Sequence, residues 1–137
     1  MTNKIEFDSF AIDQFVEIEK EVTPQDVQLF ADVTGDNNPV HLDDAFAKQT
    51  QFGRTIAHGM LSAGFISAAI GTRLPGPGCI YLEQSLKFKA PVFVGEKILT
   101  RITITDINTR RRRLTLKTEC FSLDKLVVTG EANVMVP

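Results

Sequence analysis

Apolar and charged positions alternate from Phe15 to Val22, with Val16 and Ile18 set against Glu17 and Glu19. That period of two predicts a first strand. At Thr23-Pro24 the pattern changes. A threonine cap followed by proline at the first helical position, where its missing N–H costs nothing, opens a helix. Val27, Phe30, Ala31 and Thr34 fall on one face of it, and Gly35 is the natural stop. From Asp36 to Ala57 there is little periodicity beyond a helical turn or two at Asp43 to Lys48. This segment is expected to lie as a loop over the rest of the fold, and a loop of that length is commonly functional.

Between Ile56 and Thr72 there is no Asp, Glu, Lys or Arg, and GMLSAGFISAAIG (Gly59 to Gly71) is apolar or small all round. A helix with no polar face is buried or in a membrane. About 13 residues at ~1.5 Å each reach only ~20 Å, too short to cross a bilayer. A central buried helix is therefore expected, ending at LPGPG (Leu74 to Gly78). The last third reads as strand throughout. Ile80, Leu82, Leu86 and Phe88 oppose Glu83, Lys87 and Lys89; Ile98, Ile102 and Ile104 alternate with Leu99, Arg101 and Thr103. Leu114, Leu116 and Cys120 alternate with Lys117 and Glu119, and Leu126, Val128, Ala132 and Val134 complete the set. Turn signals at Pro91 to Gly95, Asn108 to Arg111 and Asp124 make this an antiparallel meander. The expected class is α+β: a curved antiparallel sheet wrapped around one long helix, with an overhanging loop segment.

A chain of 137 residues with 43% apolar and 23% charged residues fits one soluble domain, residues 1–137. MTNKIEFDSF carries acids where a signal peptide needs an apolar stretch. Cys79 and Cys120 lie far apart without CxxC spacing, which points to a reduced intracellular compartment rather than to disulfides or zinc. The net charge of −2 divides unevenly: residues 1–60 hold 11 acids and 4 Lys or Arg (−7), the remainder 6 and 11 (+5). Arg110 to Arg113 form the one dense basic run. Without interleaved aromatics or a recognition helix it reads as a solvated turn, not a nucleic-acid site.

Of the chain's two histidines, His41 lies within this overhanging loop and His58 directly follows it, and Asp36 stands five residues before His41. Pro39 keeps Asp36 and His41 from being helix neighbours, but an Asn-Asn-Pro turn lets the two side chains converge on one water. Partial burial would then raise the aspartate pKa and lower that of the histidine. The other reading is a plain turn with a satisfied histidine. Gly59 opens the apolar helix, where unpaired N–H groups and the helix dipole favour a developing oxyanion. It equally suits tight helix-to-sheet packing. His58 reads as a cap or supporting donor at the helix start. A metal set of Asp36, His41, Asp43 and Asp44 is a weaker reading, since those acids also suit a helix cap, and no metal is expected.

GDNNPVHLDDAFA resembles the hydratase motif of the MaoC-like, (R)-specific enoyl-CoA hydratases, in which four residues separate an aspartate from a histidine. IAHGMLSAGFIS is similar to the start of that family's central helix. IYLEQSLKFKAPVFVGEKI and VVTGEANVMVP resemble its later strands, so the likeness runs from near Phe15 to the end. Small bacterial hydratases that supply polyhydroxyalkanoate synthesis are the members it resembles. The resemblance implies a hot dog fold and a cytoplasmic homodimeric lyase of fatty acid metabolism, with sites near the dimer interface. The substrate would be an acyl-CoA thioester, with coenzyme A part of the substrate and no separate cofactor. Asp36 and His41 would activate water for syn addition to a trans-2-enoyl-CoA, and the Gly59 N–H would bind the thioester oxygen. Ser67 aligns with a serine that hydrogen-bonds the aspartate, though a helical serine can instead bond its own i−4 carbonyl. Arg54, Lys87 and Lys89 are candidates for the nucleotide phosphates. A 3-hydroxyacyl-carrier-protein dehydratase, an acyl-CoA thioesterase and a non-catalytic acyl-CoA binding module stay open as alternatives.

Overall fold

The computed structural model describes residues 6–137; residues 1–5 of the expected domain lie outside the described part. A short 3-10 turn at Phe7–Ser9 precedes strand β1 (Phe15–Glu21) and helices α1 (Pro24–Thr34), α2 (Pro39–Leu42), α3 (Asp44–Lys48) and α4 (Gly59–Thr72). Strands β2 (Ile80–Gln84), β3 (Lys87–Phe88), β4 (Lys97–Asn108), β5 (Arg113–Ser122) and β6 (Lys125–Met135) follow. One antiparallel sheet has the order β1-β4-β5-β6-β2, and β3 also pairs with β6. This is the expected α+β architecture: helix α4 lies against β1, β4 and β5. The fold is the hot dog arrangement.

Local chemistry explains the boundaries. Thr23 and Asp26 form a reciprocal capping box, with Thr23 Oγ1 accepting from the Asp26 N–H at 3.1 Å and Asp26 Oδ2 from the Thr23 N–H at 3.0 Å. Lys20 reinforces it through a 2.7 Å ion pair to Asp26. Gly35 closes α1 at φ 81°, a conformation glycine adopts without strain. On the far edge, β2 and β3 are two pieces of one strand interrupted near Ser85. Gly130 of β6 faces the break so closely that a Cβ there would stand 1.8 Å from the Ser85 carbonyl oxygen.

The core follows the alternation along β4 and β5. Ile98, Ile102, Ile104, Leu114, Leu116 and Cys120 are all fully buried. Against them α4 presents Ser62, Ile66, Ala69 and Ile70, positions i, i+4, i+7 and i+8 of one face. Each fully buried isoleucine contributes roughly 1.5–3 kcal/mol.

Two expectations need correction. The helix is not buried all round: Met60, Gly64, Ser67 and Ala68 are exposed, because the sheet covers α4 from one side only. The overhanging segment is also more helical than its weak periodicity suggested. Pro39 starts a helical turn, α2, with Asn38 Oδ1 accepting from the Val40 N–H at 3.2 Å.

The β5–β6 hairpin turns through Leu123 and Asp124 at φ 50° and 64°. Two positive φ values suit Asn-Gly and disfavour leucine, and Leu123 gains nothing by packing, being 93% exposed. Leu123→Asn should stabilise the protein by roughly 0.5–1 kcal/mol, seen as a higher urea midpoint at unchanged m-value.

Candidate active site

The loop after α1 is shaped by short side-chain-to-backbone bonds that its own sequence supplies. Thr34 Oγ1 accepts from the Asp36 N–H at 3.1 Å, and Asp36 Oδ1 accepts from the Asn38 N–H at 3.4 Å. Asn38 then caps α2, whose third residue is His41. These turns bring the carboxylate round toward the imidazole despite the proline between them.

Tertiary contacts fix the imidazoles. His41 Nδ1 lies 2.7 Å from the Ile56 carbonyl oxygen. A carbonyl can only accept, so Nδ1 carries the proton and Nε2 of the neutral ring keeps its lone pair. The Ile56 strand segment is itself held by its N–H to the Val40 carbonyl (3.3 Å), and Ala57 donates to the Val92 carbonyl (2.7 Å). His58, 2% exposed, places Nε2 2.9 Å from the Asp36 carbonyl oxygen and so donates to it. Its ring stacks on His41 with centroids 3.8 Å apart and planes 32° from parallel; Phe30 of α1 contacts it at 4.6 Å. His58 makes no helix-capping bond, so of its two expected roles only the supporting donor is realised. Its Nδ1 is buried with no partner among the described residues.

Burial holds the His41 imidazole below its ordinary range. The Ile56 hydrogen bond opposes that shift, the neighbouring His58 adds to it, and Asp36 opposes it. Asp36, expected to be partly buried, is instead exposed, although its carboxylate stays within 4.8 Å of the His41 and His58 ring nitrogens.

Asp36, His41 and His58 can each offer one ligand atom within 4.8 Å of the others. A metal would need both imidazole lone pairs to meet about 2.0–2.1 Å from each nitrogen. The two rings are stacked at 3.8 Å and tilted by 32°, and each already donates one nitrogen to a backbone carbonyl, which leaves one lone pair per ring for any ion. Of the acids in the weaker metal reading, Asp43 caps α3 by accepting from the Phe46 N–H at 3.2 Å, and Asp44 is that helix's first residue.

His41 and Gly59 share a cavity of about 450 Å³ that also takes in Ser62, Phe88 and Lys89, with apolar walls from Ile56, Val92 and Val128. The Gly59 N–H opens the first turn of α4, where no intrahelical carbonyl is available to it. A Cβ at Gly59 would stand 2.7 Å from the Phe88 ring. The close-packing reason for glycine therefore holds here, and it coexists with an N–H that bonds no carbonyl among the described residues.

The other expected residues divide. Ser67 sits on the exposed face of α4, and its hydroxyl bonds neither Asp36 nor the Ala63 carbonyl; the helix turns it away from the loop. Arg54 stacks over the Phe93 ring at 4.0 Å and lies 3.9 Å from Glu96 Oε1, so its guanidinium already has protein partners. Lys89 lines the cavity. Lys87 does not; it borders a separate groove with Lys117 and Glu131. Sequence reasoning missed Ser62 and Phe88. Ser62 was findable, since three residues beyond Gly59 on a helix is the same face; Phe88 was not, because its contact crosses from sheet to helix.

Residues 10–122 match the family model described as MaoC like domain. The chain belongs to the MaoC-like family. Within it, a protein named (R)-specific enoyl-CoA hydratase from Rhodospirillum rubrum is 47% identical over 131 residues, covering 96% of this chain and 91% of that one. The structure of the (R)-hydratase from Aeromonas caviae involved in PHA biosynthesis superimposes with TM-score 0.92 at 43% identity, covering 94% and 98% of the two chains. R-Hydratase PhaJ1 from Pseudomonas aeruginosa, unliganded, gives TM-score 0.93 at 44% identity, covering 98% and 86%.

The packing at the MaoC-like helix mouth can be tested directly. Gly59→Ala should cost about 1 kcal/mol by displacing the half-exposed Phe88 ring, and the cost should vanish in a Phe88→Ala background. Urea denaturation of the four proteins measures the coupling.

Proposed function

We propose that the protein is an (R)-specific enoyl-CoA hydratase, a hydro-lyase that adds water reversibly and syn across a trans-2-enoyl-CoA to give an (R)-3-hydroxyacyl-CoA. The observation that carries this reading is the convergence of the Asp36 carboxylate with His41, whose Nδ1 is already committed to a carbonyl. One water held between them has a general base at His41 Nε2 and an orienting carboxylate at Asp36. Its oxygen bonds to the β-carbon of the enoyl group. The negative charge passes to the thioester oxygen, where the Gly59 N–H and the helix dipole receive it. A proton returned to the α-carbon from the same side completes the addition, so every atom of the water enters the product. No cofactor takes part in these steps. His58 positions the site by tying the Asp36 backbone to the start of α4 and backing the His41 ring.

Lys89, at the mouth of the cavity, is the residue we assign to the coenzyme A end of the substrate. Two exposed apolar surfaces support a homodimer: edge strand β2 with Ile80, Tyr81 and Leu82, each about two-fifths exposed, and the open face of α4. Among the described residues no helix is long and apolar enough to cross a membrane. We place the protein in the cytoplasm, supplying (R)-3-hydroxyacyl-CoA to polyhydroxyalkanoate synthesis.

Incubation with trans-2-butenoyl-CoA tests the activity. Loss of the conjugated enoyl absorbance, with product oxidised by an (R)-selective but not an (S)-selective 3-hydroxyacyl dehydrogenase, is the expected result. Release of free thiol instead would indicate a thioesterase, and binding without turnover a carrier module. Asp36→Asn and His41→Ala should each lower kcat by about 10²–10⁴ with an unchanged circular dichroism spectrum. Near-normal turnover in either would remove the assignment.

The pH dependence follows from the direction of the His41 shift. The neutral imidazole is the active form, and its pKa lies below the ordinary 6.5, so the base persists through neutrality. The acid limb of kcat/KM should therefore have its midpoint below 6.5. That limb should be absent from the residual activity of His41→Ala.

A further inference from the structure

Ser62 is a cavity residue whose chemistry the hydration steps leave unused. It is 1% exposed and lies in the cavity wall beside His41 and Gly59. Its hydroxyl bonds no other group among the described residues and, unlike His58 Nδ1, is not wholly enclosed, so it borders the cavity. The Cys120 thiol behind it donates to the Ser62 backbone carbonyl at 3.8 Å, and Thr100 pairs with that same sulfur. Thr72, on the same helix, shows what a self-satisfied hydroxyl looks like: it donates to the Ala68 carbonyl at 2.7 Å. Ser62 makes no such bond.

Burial gives the cavity a direction. Gly59, Met60, Phe88 and Lys89 are exposed and form its mouth, whereas Ala57, Ser62, Val92 and Val128 are buried and form its floor. Ser62 is thus the hydroxyl set among Ala57, Val92 and Val128, at the end away from the coenzyme.

We propose that Ser62 is a specificity-determining residue that makes the acyl end of the cavity polar and so selects short acyl chains. The inference rests on the hydratase reading in taking an acyl thioester as the ligand. Ser62 follows Gly59 by three residues, about 4.5 Å along the helix axis. With its thioester oxygen on the Gly59 N–H, an acyl chain running along α4 toward the cavity floor would bring about its fourth or fifth carbon level with Ser62. A short chain stops there and leaves room for a water to satisfy that hydroxyl. A longer chain displaces the water and sets methylene groups against a buried, unpaired O–H, an uncompensated loss.

The test compares butyryl-CoA with octanoyl-CoA, whose saturated chains bind without reacting. Calorimetry gives both affinities for the wild type, Ser62→Ala and Ser62→Thr. In Ser62→Ala the octanoyl-to-butyryl affinity ratio should rise about fivefold or more, because the hydroxyl is gone. Ser62→Thr keeps the hydroxyl in a smaller space and should show no rise. A change below about twofold in Ser62→Ala, or an equal rise in Ser62→Thr, overturns the proposal. Turnover of trans-2-butenoyl-CoA by the same wild-type preparation reports separately on the hydratase reading. Its absence would remove that reading, while the affinity ratio still judges Ser62. Failure to bind either thioester would overturn both.

Discussion

The burial of one face of α4 against the sheet is the constraint on which the rest depends. Ser62, Ile66, Ala69 and Ile70 can meet β4 and β5 in only one rotation of the helix. That rotation sets the Gly59 N–H at the cavity mouth and turns the Ser62 side chain inward. It also carries His58 to the point where the loop must cross. A charge-free helix is expensive to leave in water and gains by packing, so the core and the site are positioned by the same event. Cys120, under the helix, belongs to the same packing: burial pushes its thiol up to about 11, which keeps it uncharged in the core.

Both imidazoles are then disciplined by backbone carbonyls rather than by carboxylates. His41 donates to Ile56 and His58 to Asp36, and each donation fixes which ring nitrogen holds the proton. For His41 this leaves Nε2 as a base in a partly dry setting. For His58 it ties the loop carrying Asp36 to the helix start, with the ring packed between Phe30 and His41. The stack on His58 also holds the His41 ring in place.

Strong local signals in the sequence matched local structure. The threonine–proline helix start, the Gly35 stop, the alternation along β4 and β5 and the Asp36–His41 spacing are each set by neighbours within a few residues, and each is realised. Where periodicity was weak the reading fell short: α2 hides behind Pro39, whose place at the first helical position looks like an interruption until Asn38 is seen to cap it. The uniform hydrophobicity of α4 does not say which side faces the sheet, so the residues alone do not single out Ser62, and Ser67 enters only through the family resemblance. A helix with no polar face carries no information about its own rotation.

By itself, then, the sequence determined the order of the strands and the two long helices, the sheet alternation and which side chains could be acid–base candidates, because those depend on local conformation and side-chain type. Only the tertiary structure decided that His58 donates to the Asp36 carbonyl and that His41 keeps Nε2 free. It alone put Phe88 against Gly59, Arg54 on Phe93 and Ser62 rather than Ser67 in the cavity. Each of those outcomes turns on the angle at which one element meets another, and that angle is set by the packing of the whole core rather than by any run of residues within it.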